Sequence, residues 1–535
     1  MQVGYDLTTG IFSGSMDYEK TELPMYDAKL DGNYFVEDLL GGSHELKFGV
    51  EYRLTNVRSQ EVMAGDVVKM YWGGAPLYAR VYREGFWDYG SDRYSIYMND
   101  AFSKGRLTLN IGFRLDREKS VNYESEVKAS RIAPDLLPAL TVPAVDPGLT
   151  WLTFSPRFGF TYDLTGDGKT IIRGNLARYG MHSPTWMATH VYPAALSFAT
   201  FRWNDRNGDD TVTTDELLGY PTSGILSFEG FDPENPTALE SPNGIDKNLK
   251  SPLTDEFILG VERELFPDFS LSANITLRRN HRFWWTASNG EALYDKETGK
   301  VFTQDDYIGP ITGSIDYDGK TYDYEYWTLN QYRPAGTYMQ TWPGSCENYA
   351  GFEIIATKRL SHRWMMSASF TYEKFNFHYG EKGYADPTNV EIFDGSRADW
   401  NWGLEWMGKL SFLYQLPWGF NVSCFANARQ GRINLQRIVV PSPERGAVGL
   451  GGTKTIYIEK PGETRLPNFY NVDASLTKEF HLGNYGRLSL QVDAFNVFNF
   501  AHDLNRFTQV NSSRHDEIQA ILNPRVIRFG IRYRF

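Results

Sequence analysis

The stretch Asp205–Glu216, DRNGDDTVTTDE, carries the sharpest chemical pattern in this chain. Asp205, Asn207 and Asp209 stand at positions 1, 3 and 5 of an EF-hand-like loop. Thr211 is at position 7, the apolar Val212 at position 8 and Glu216 at position 12. Calcium takes roughly six to eight oxygen ligands; this spacing supplies three side chains, one backbone carbonyl and a carboxylate able to bind through both oxygens. Asp205, Asn207, Asp209, Thr211 and Glu216 are therefore the expected ligands of a Ca2+ site. Asp210 stands where glycine is expected at position 6, and aspartate adopts positive φ less easily than glycine. A second reading competes. Thr213-x-x-Glu216 is also a capping box, so Glu216 can open a short helical turn over Thr214–Leu218 without any metal.

A second pattern lies between residues 280 and 350. RFWW, TYDYEYW and GTYMQTW bring Trp284, Trp285, Tyr322, Tyr324, Tyr326, Trp327, Tyr338 and Trp342 together with several acids. Aromatic faces stack on sugar rings or apolar ligands, and carboxylates accept hydrogen bonds from hydroxyls. Trp284, Trp285, Tyr324, Tyr326, Trp327 and Trp342 are thus candidate ligand-binding residues. The competing reading is a loop that packs on itself, with an aromatic girdle at the strand ends.

Other signals are weaker. DLTGDGKT, Asp163–Thr170, lacks a Walker spacing and reads as a hairpin whose Gly166 or Gly168 supplies positive φ. His182, His190 and His281 show no metal-binding or catalytic spacing. Cys346 and Cys424 are far apart and lack a CxxC pattern, which argues against a disulfide or metal pair. No nucleophile–base arrangement stands out, so the chain is not expected to be an enzyme. A net charge of −12 argues against nucleic acid as a partner.

These residues need elements to hold them, and the elements repeat with period two. RLTLNIGFRLD places Leu107, Leu109, Ile111, Phe113 and Leu115 on one side. LSLQVDAFNVF sets Leu488, Leu490, Val492 and Ala494 against Ser489, Gln491 and Asp493. YNVDASLTKEF sets Val472, Ala474 and Leu476 against Asn471, Asp473, Ser475 and Thr477. Such segments are ~10 residues long with one apolar and one polar face. No apolar run approaches the ~20 residues of a membrane helix.

The connections alternate strictly in length. Tight links fall near 103–105, 164–169, 266–268, 361–362, 416–419 and 481–486. Long ones cover 58–90, 117–150, 181–252, 280–350, 376–404, 431–468 and 499–524. Short turns at one end and long loops at the other are the rhythm of a transmembrane up-and-down antiparallel β-barrel. Closing such a sheet satisfies every backbone group inside lipid. Roughly 17 candidate strands are expected, the first near 2–7, 10–19 and 30–38 being weak.

The chain ends RVIRFGIRYRF. Ile527, Phe529, Ile531, Tyr533 and Phe535 alternate with Arg528, Gly530, Arg532 and Arg534. In a barrel the first set meets lipid. The arginines, with Asp473, Asp493 and Gln491, line a wet lumen; facing lipid at the midplane they would cost ~2–4 kcal/mol each.

Several stretches resemble the TonB-dependent receptors of the bacterial outer membrane, especially the large Oar-like type. They are GSHELKFGVEYR, Gly42–Arg53; FSPRFGFTYDLTGDGKTIIRGNLARYG, Phe154–Gly180; LTDEFILGVERELFPDFSLSANITLRR, Leu253–Arg279; YAGFEIIATKRLSHRWMMSASFTYEK, Tyr349–Lys374; and YQLPWGFNVS, Tyr414–Ser423. The region Leu466–Phe500 and the end of the chain complete the set, Tyr533 and Phe535 resembling the signal read by barrel-assembly machinery. The resemblance implies a barrel of about 22 strands, a plug domain inside it and a segment that contacts TonB. MQVGYDLTTG does not read as a signal peptide, and nothing before residue 50 resembles a plug. The expectation is the C-terminal part of such a barrel, spanning 1–535, with 181–252 and 280–350 as long external loops. Its expected partners are outer-membrane lipid, the barrel-assembly machinery, a TonB complex reached through a plug, and an oligosaccharide, peptide or siderophore ligand. A passive porin and a surface carbohydrate-binding or adhesion protein are the alternatives.

Overall fold

The computed structural model describes every residue except 1, 184, 194–195, 285–292, 318, 330–335, 381–385, 397–402 and 446–450; for 442–445 and 451–452 it describes the backbone alone. Its main body is one antiparallel sheet of 16 strands. The first eight are β1 (Asp17–Glu22), β2 (Met25–Leu39), β3 (Gly42–Met63), β4 (Gly85–Lys104), β5 (Leu107–Asn122), β6 (Thr150–Asp163), β7 (Thr170–Gly180) and β8 (Leu253–Phe266). The rest are β9 (Phe269–His281), β10 (Cys346–Ser361), β11 (Trp364–His378), β12 (Trp406–Leu416), β13 (Phe420–Arg429), β14 (Phe469–His481), β15 (Arg487–Phe495) and β16 (Val526–Arg534).

Each strand pairs with its successor, except that β1 and β2 pair in turn with two halves of β3. The sheet thus has one strand fewer than the ~17 expected from the period-two pattern. One edge is formed by β1 and β2 together and the other by β16, and no ladder joins the two edges among the described residues. Most strands run 9 to 16 residues, enough for a tilted crossing. β3 and β4, at 22 and 20 residues, continue well past the hydrocarbon.

The alternation of links is as the sequence implies. Short turns cover 40–41, 105–106, 164–169, 267–268, 362–363, 417–419 and 482–486. Long connections cover 64–84, 123–149, 181–252, 282–345, 379–405, 430–468 and 496–525. At 164–169, Asp163 accepts hydrogen bonds from the amides of Gly166 and Gly168, both at positive φ. A side chain at either position would be strained, which is why this turn is glycine-rich.

The two faces of the sheet separate by polarity. Ile96, Phe154, Phe257, Phe370 and Phe529 are exposed on the apolar face. The opposite face buries Glu51, Asp116, Glu118 and Asp493. There Glu51 accepts from Arg93 at 2.7 Å and Arg114 at 3.2 Å. Asp493 accepts from Arg528 at 2.7 Å and from Gln491 at 2.7 Å. Asp473 accepts from the Asn496 amide at 2.8 Å. Arg532 and Arg534 pair in register with Ser489 and Arg487, on this same polar face. A buried ion is tolerated only when paired and hydrogen-bonded, and this face supplies the partners.

One segment departs from the sequence expectation. Val3–Asp6 and Ile11–Ser13 are not barrel strands. They join Val67–Trp72, Ala75–Arg83, Ser197–Arg202 and Ser227–Glu229 in a separate six-stranded sheet at the long-loop end. Val3–Asp6 runs parallel to Val67–Trp72, with Val3 opposite Val68. Four residues cannot cross a bilayer, whereas the external sheet buries Val3 completely. Its core holds Val67, Val81, Leu136, Phe201 and Trp203, drawn from three different long connections.

Candidate functional site

The long loops build an aromatic and acidic cavity. The first wall is the hairpin of Tyr307–Tyr317 and Lys320–Leu329. In Lys320–Leu329, tyrosines alternate with exposed Asp323 and Glu325. Period two puts the rings on one side, where Tyr322, Tyr324 and Tyr326 pack against Ile438, Val440 and Ile456. The second wall is the hairpin of Arg437–Arg445 and Gly451–Tyr457. The third is the helical turn Pro387–Phe393, opened by Asp386, whose carboxylate accepts the Thr388 amide at 3.0 Å.

Polar contacts weld the three walls. Thr388 Oγ1 accepts the Trp327 amide at 3.1 Å. Lys454 Nζ donates to the Trp327 carbonyl at 2.5 Å and lies 2.9 Å from Asp386. Asn389 bridges to the Thr455 carbonyl at 3.0 Å and the Tyr457 amide at 3.1 Å. The space enclosed is about 790 Å³, lined among others by Tyr324, Trp327, Asp323, Glu325, Glu391 and Glu463. That suits a ligand of small-molecule or short-oligomer size. The Tyr324 ring lies close over Gly313, where a Cβ would meet its hydroxyl at 2.5 Å and the ring would have to shift.

The aromatic residues singled out in the sequence divide between cavity and packing. Tyr324 and Trp327 line the cavity, and Tyr326 stacks beside Tyr324 at 6.4 Å. Trp342 is only 3% exposed, enclosed by Phe377 and Tyr379. Trp284 lies between Trp151 and Trp186 at 6.1 and 6.5 Å. Tyr338 packs on Tyr294. Trp285 lies outside the described residues. Glu391 and Glu463 were not singled out from sequence; they come from two other loops, and no local pattern links them to Tyr324.

In the EF-hand-like loop, Asp205 accepts the amides of Gly208 at 2.8 Å and Asp210 at 3.1 Å. Asp209 accepts the Thr211 amide at 2.8 Å and the Asn207 side chain at 3.0 Å. Glu216 is buried and accepts from the amides of Arg206 and Thr213 and from Trp203 Nε1. With Thr213 it forms the capping box of the turn Thr214–Glu216. Asp210 adopts φ +57°, and its carboxylate lies 2.7 Å from Lys69 Nζ and 2.5 Å from the Tyr71 hydroxyl. No three His, Cys, Asp or Glu converge on a metal position among the described residues.

The histidines are dispersed. His182 faces Glu118, His281 faces Asp255 and His190 meets the Thr337 carbonyl. Burial lowers the pKa of His190 despite that bond. Both cysteines are free, Cys346 opening β10. Tyr533 donates to the Tyr485 carbonyl at the short-turn end, and Phe535 is fully exposed beside it.

Strands with an apolar outer face, a charged inner face and alternately short and long links define an outer-membrane β-barrel. Residues 38–440 match the family model described as outer membrane beta barrel domain, and the chain belongs to that family. It is 19% identical over 437 residues to the TonB-dependent transporter Oar of Myxococcus xanthus, covering 76% of this chain and 35% of that protein. Its fold is similar to that of the outer membrane transporter YddB from Escherichia coli, with a TM-score of 0.52 and 14% identity, over 96% of this chain and 54% of that one. The chain therefore spans well under two thirds of either relative. Both relatives are transporters, not enzymes, and the Myxococcus xanthus relative is of the TonB-dependent, Oar type that the sequence resembles.

Proposed function

We propose that this chain is barrel and external-loop material of a TonB-dependent receptor, which captures a ligand outside the cell and passes it inward. The observation that supports this reading is the cavity of about 790 Å³ where three long loops meet. Asp323, Glu325, Glu391 and Glu463 give it acceptors for hydroxyl or amine donors, while Tyr324 and Trp327 offer rings. Import would draw energy from a TonB complex through a plug contacting the lumenal face, including Arg528, Arg532, Asp493 and Gln491.

The test measures tryptophan fluorescence of the detergent-solubilised full chain during titration with neutral oligosaccharides, short basic peptides and ferric chelates. One class should bind saturably, with Trp327→Ala and Glu391→Gln weakening it while the chain stays folded. Binding that ignores both substitutions would overturn the cavity assignment. A steady open-pore conductance of the full-length gene product in planar bilayers would favour a passive porin instead.

A further inference from the structure

The outer rim of the sheet holds a second cavity with the opposite charge. It encloses about 510 Å³ at the upper ends of β6 and β7, and Arg178, Lys247, Lys250 and Arg282 line it. Leu152 and Phe154 complete its lower wall.

Part of the lining of this cavity, Leu152, Phe154 and Arg178, lies on the lipid side, while Trp151 and Thr153 also line it. Leu152 and Phe154 are 70% and 53% exposed, whereas Trp151 and Thr153, on the other face of β6, are buried. Leu176 stands opposite the exposed Phe158, so Leu176 and its second neighbour Arg178 share that apolar face. Arg178 is also the register partner of Asp255, which shares a face with the exposed Phe257 and Leu259. Residues 181–252 follow Arg178 directly, which sets this rim at the long-loop, external end.

The charges are incompletely balanced. Arg178 makes a two-pronged contact with Asp255, at 2.6 and 3.0 Å, and His281 approaches the same carboxylate at 3.1 Å. Lys247, Lys250 and Arg282 are exposed and form no ion pair among the described residues. In a chain of net charge −12, three unpaired cations beside one cavity are a local reversal of sign.

Apolar residues below and cations above match a lipid that lays acyl chains on Leu152 and Phe154 and raises a phosphate into the cavity. A soluble anion would gain nothing from the apolar floor. Each Lys or Arg near an anionic lipid surface contributes about 1 kcal/mol, and the arginine fork matches phosphate oxygens in pairs. We propose that Arg178, Lys247, Lys250 and Arg282 form a site for the phosphate of an anionic outer-leaflet lipid. The site rests on the membrane placement of the barrel and is independent of the ligand captured by the loops.

The test uses the full chain reconstituted in phosphatidylcholine vesicles. One set is doped with a phosphorylated glycolipid, one with the same glycolipid lacking phosphate, and one receives inorganic phosphate alone. Lipid carried through detergent extraction is read by native mass spectrometry. The phosphorylated glycolipid should stay bound, and K247Q/K250Q/R282Q should lower its retention at least about tenfold. Removing the lipid phosphate should do the same. A control, K20Q/K128Q/K300Q, removes equal charge elsewhere and should retain lipid. Heat-modifiable gel mobility confirms that each variant is folded. Equal retention by K247Q/K250Q/R282Q and the native sequence would overturn the site. Displacement by inorganic phosphate, with no preference for lipid, would overturn the lipid assignment.

Discussion

Lys69 and Asp210 meet across the external sheet. The Lys69 ammonium, almost fully buried, donates to the Asp210 carboxylate at 2.7 Å and to its backbone carbonyl at 2.6 Å. Asp210 occupies a left-handed position where glycine is the easier residue. The contact supplies a reason for aspartate: it ties the 205–216 loop to Val67–Trp72. Burial by itself would raise the Asp210 pKa, but hydrogen bonds from Lys69 and Tyr71 and the charge of Lys69 hold it below the usual range.

Asp210→Gly should relax the backbone yet loosen the loop, because Lys69 loses its charged partner. A cost of about 1–2 kcal/mol is expected, read as faster amide exchange across Val67–Trp72. The depressed carboxyl pKa gives a sign for acid. The tether contributes fully above the unfolded value of about 4 and is lost as pH falls through the lower folded value. Asp210→Gly should therefore flatten the acid limb of the exchange profile; an unchanged limb would refute the tether.

Glu216 is occupied by three donors, two of them backbone amides. Glu216→Ala should cost roughly 1–2 kcal/mol through loss of the cap. Thermal melts should show the same penalty in chelator and in calcium. A calcium-induced rise in Tm that Glu216→Gln abolishes would instead put this carboxylate on a metal.

Trp342 and Trp327 should respond differently to truncation. Trp342→Ala empties a site enclosed by Phe377 and Tyr379 and should cost about 3–5 kcal/mol locally. Limited proteolysis would then cut the 282–345 loop faster. Trp327→Ala, at the cavity wall, should leave the cleavage pattern largely unchanged.

Val492 and Gln491 are adjacent in β15 and point to opposite faces. Val492→Arg sets a charge against lipid and should cost up to ~2–4 kcal/mol, depending on depth. Gln491→Arg sets it beside Asp493 and should be tolerated. Urea unfolding in detergent micelles compares the two, and equal penalties would contradict the assigned faces.

Arg528 holds Asp493, which is buried on the lumenal face. Arg528→Ala should destabilise by about 1–3 kcal/mol, since a nearly buried carboxylate loses its cation. Arg528→Lys should recover part of this, keeping the charge but not the paired geometry. Heat-modifiable mobility on gels reports both.

Much of the architecture was legible because a barrel strand states its environment residue by residue. Period two in LSLQVDAFNVF and RVIRFGIRYRF assigned both faces of β15 and β16 before any neighbour was known, since lipid and water act on each side chain separately. Link lengths were equally readable, because a tight turn has its own residue chemistry. Val3–Asp6 misled because a short alternating run looks the same in a barrel and in an external sheet; only burial against Val68 distinguishes them. The aromatic loop was readable as to composition but not as to role. Whether Trp342 is packing and Trp327 a wall depends on Phe377 and Thr388, which come from other segments.

The sequence by itself determined which side of each strand meets lipid, where the chain turns, and which end carries the large loops, because these follow from local polarity and backbone freedom. Only the tertiary structure decided that Asp210 answers Lys69, that Glu391 and Glu463 reach the Tyr324 cavity, and that Arg178 joins Lys247, Lys250 and Arg282 at the rim. Those groupings join residues from separate loops, and the free energy that brings them together is the packing of the whole sheet and its external cores rather than any preference written in a local stretch.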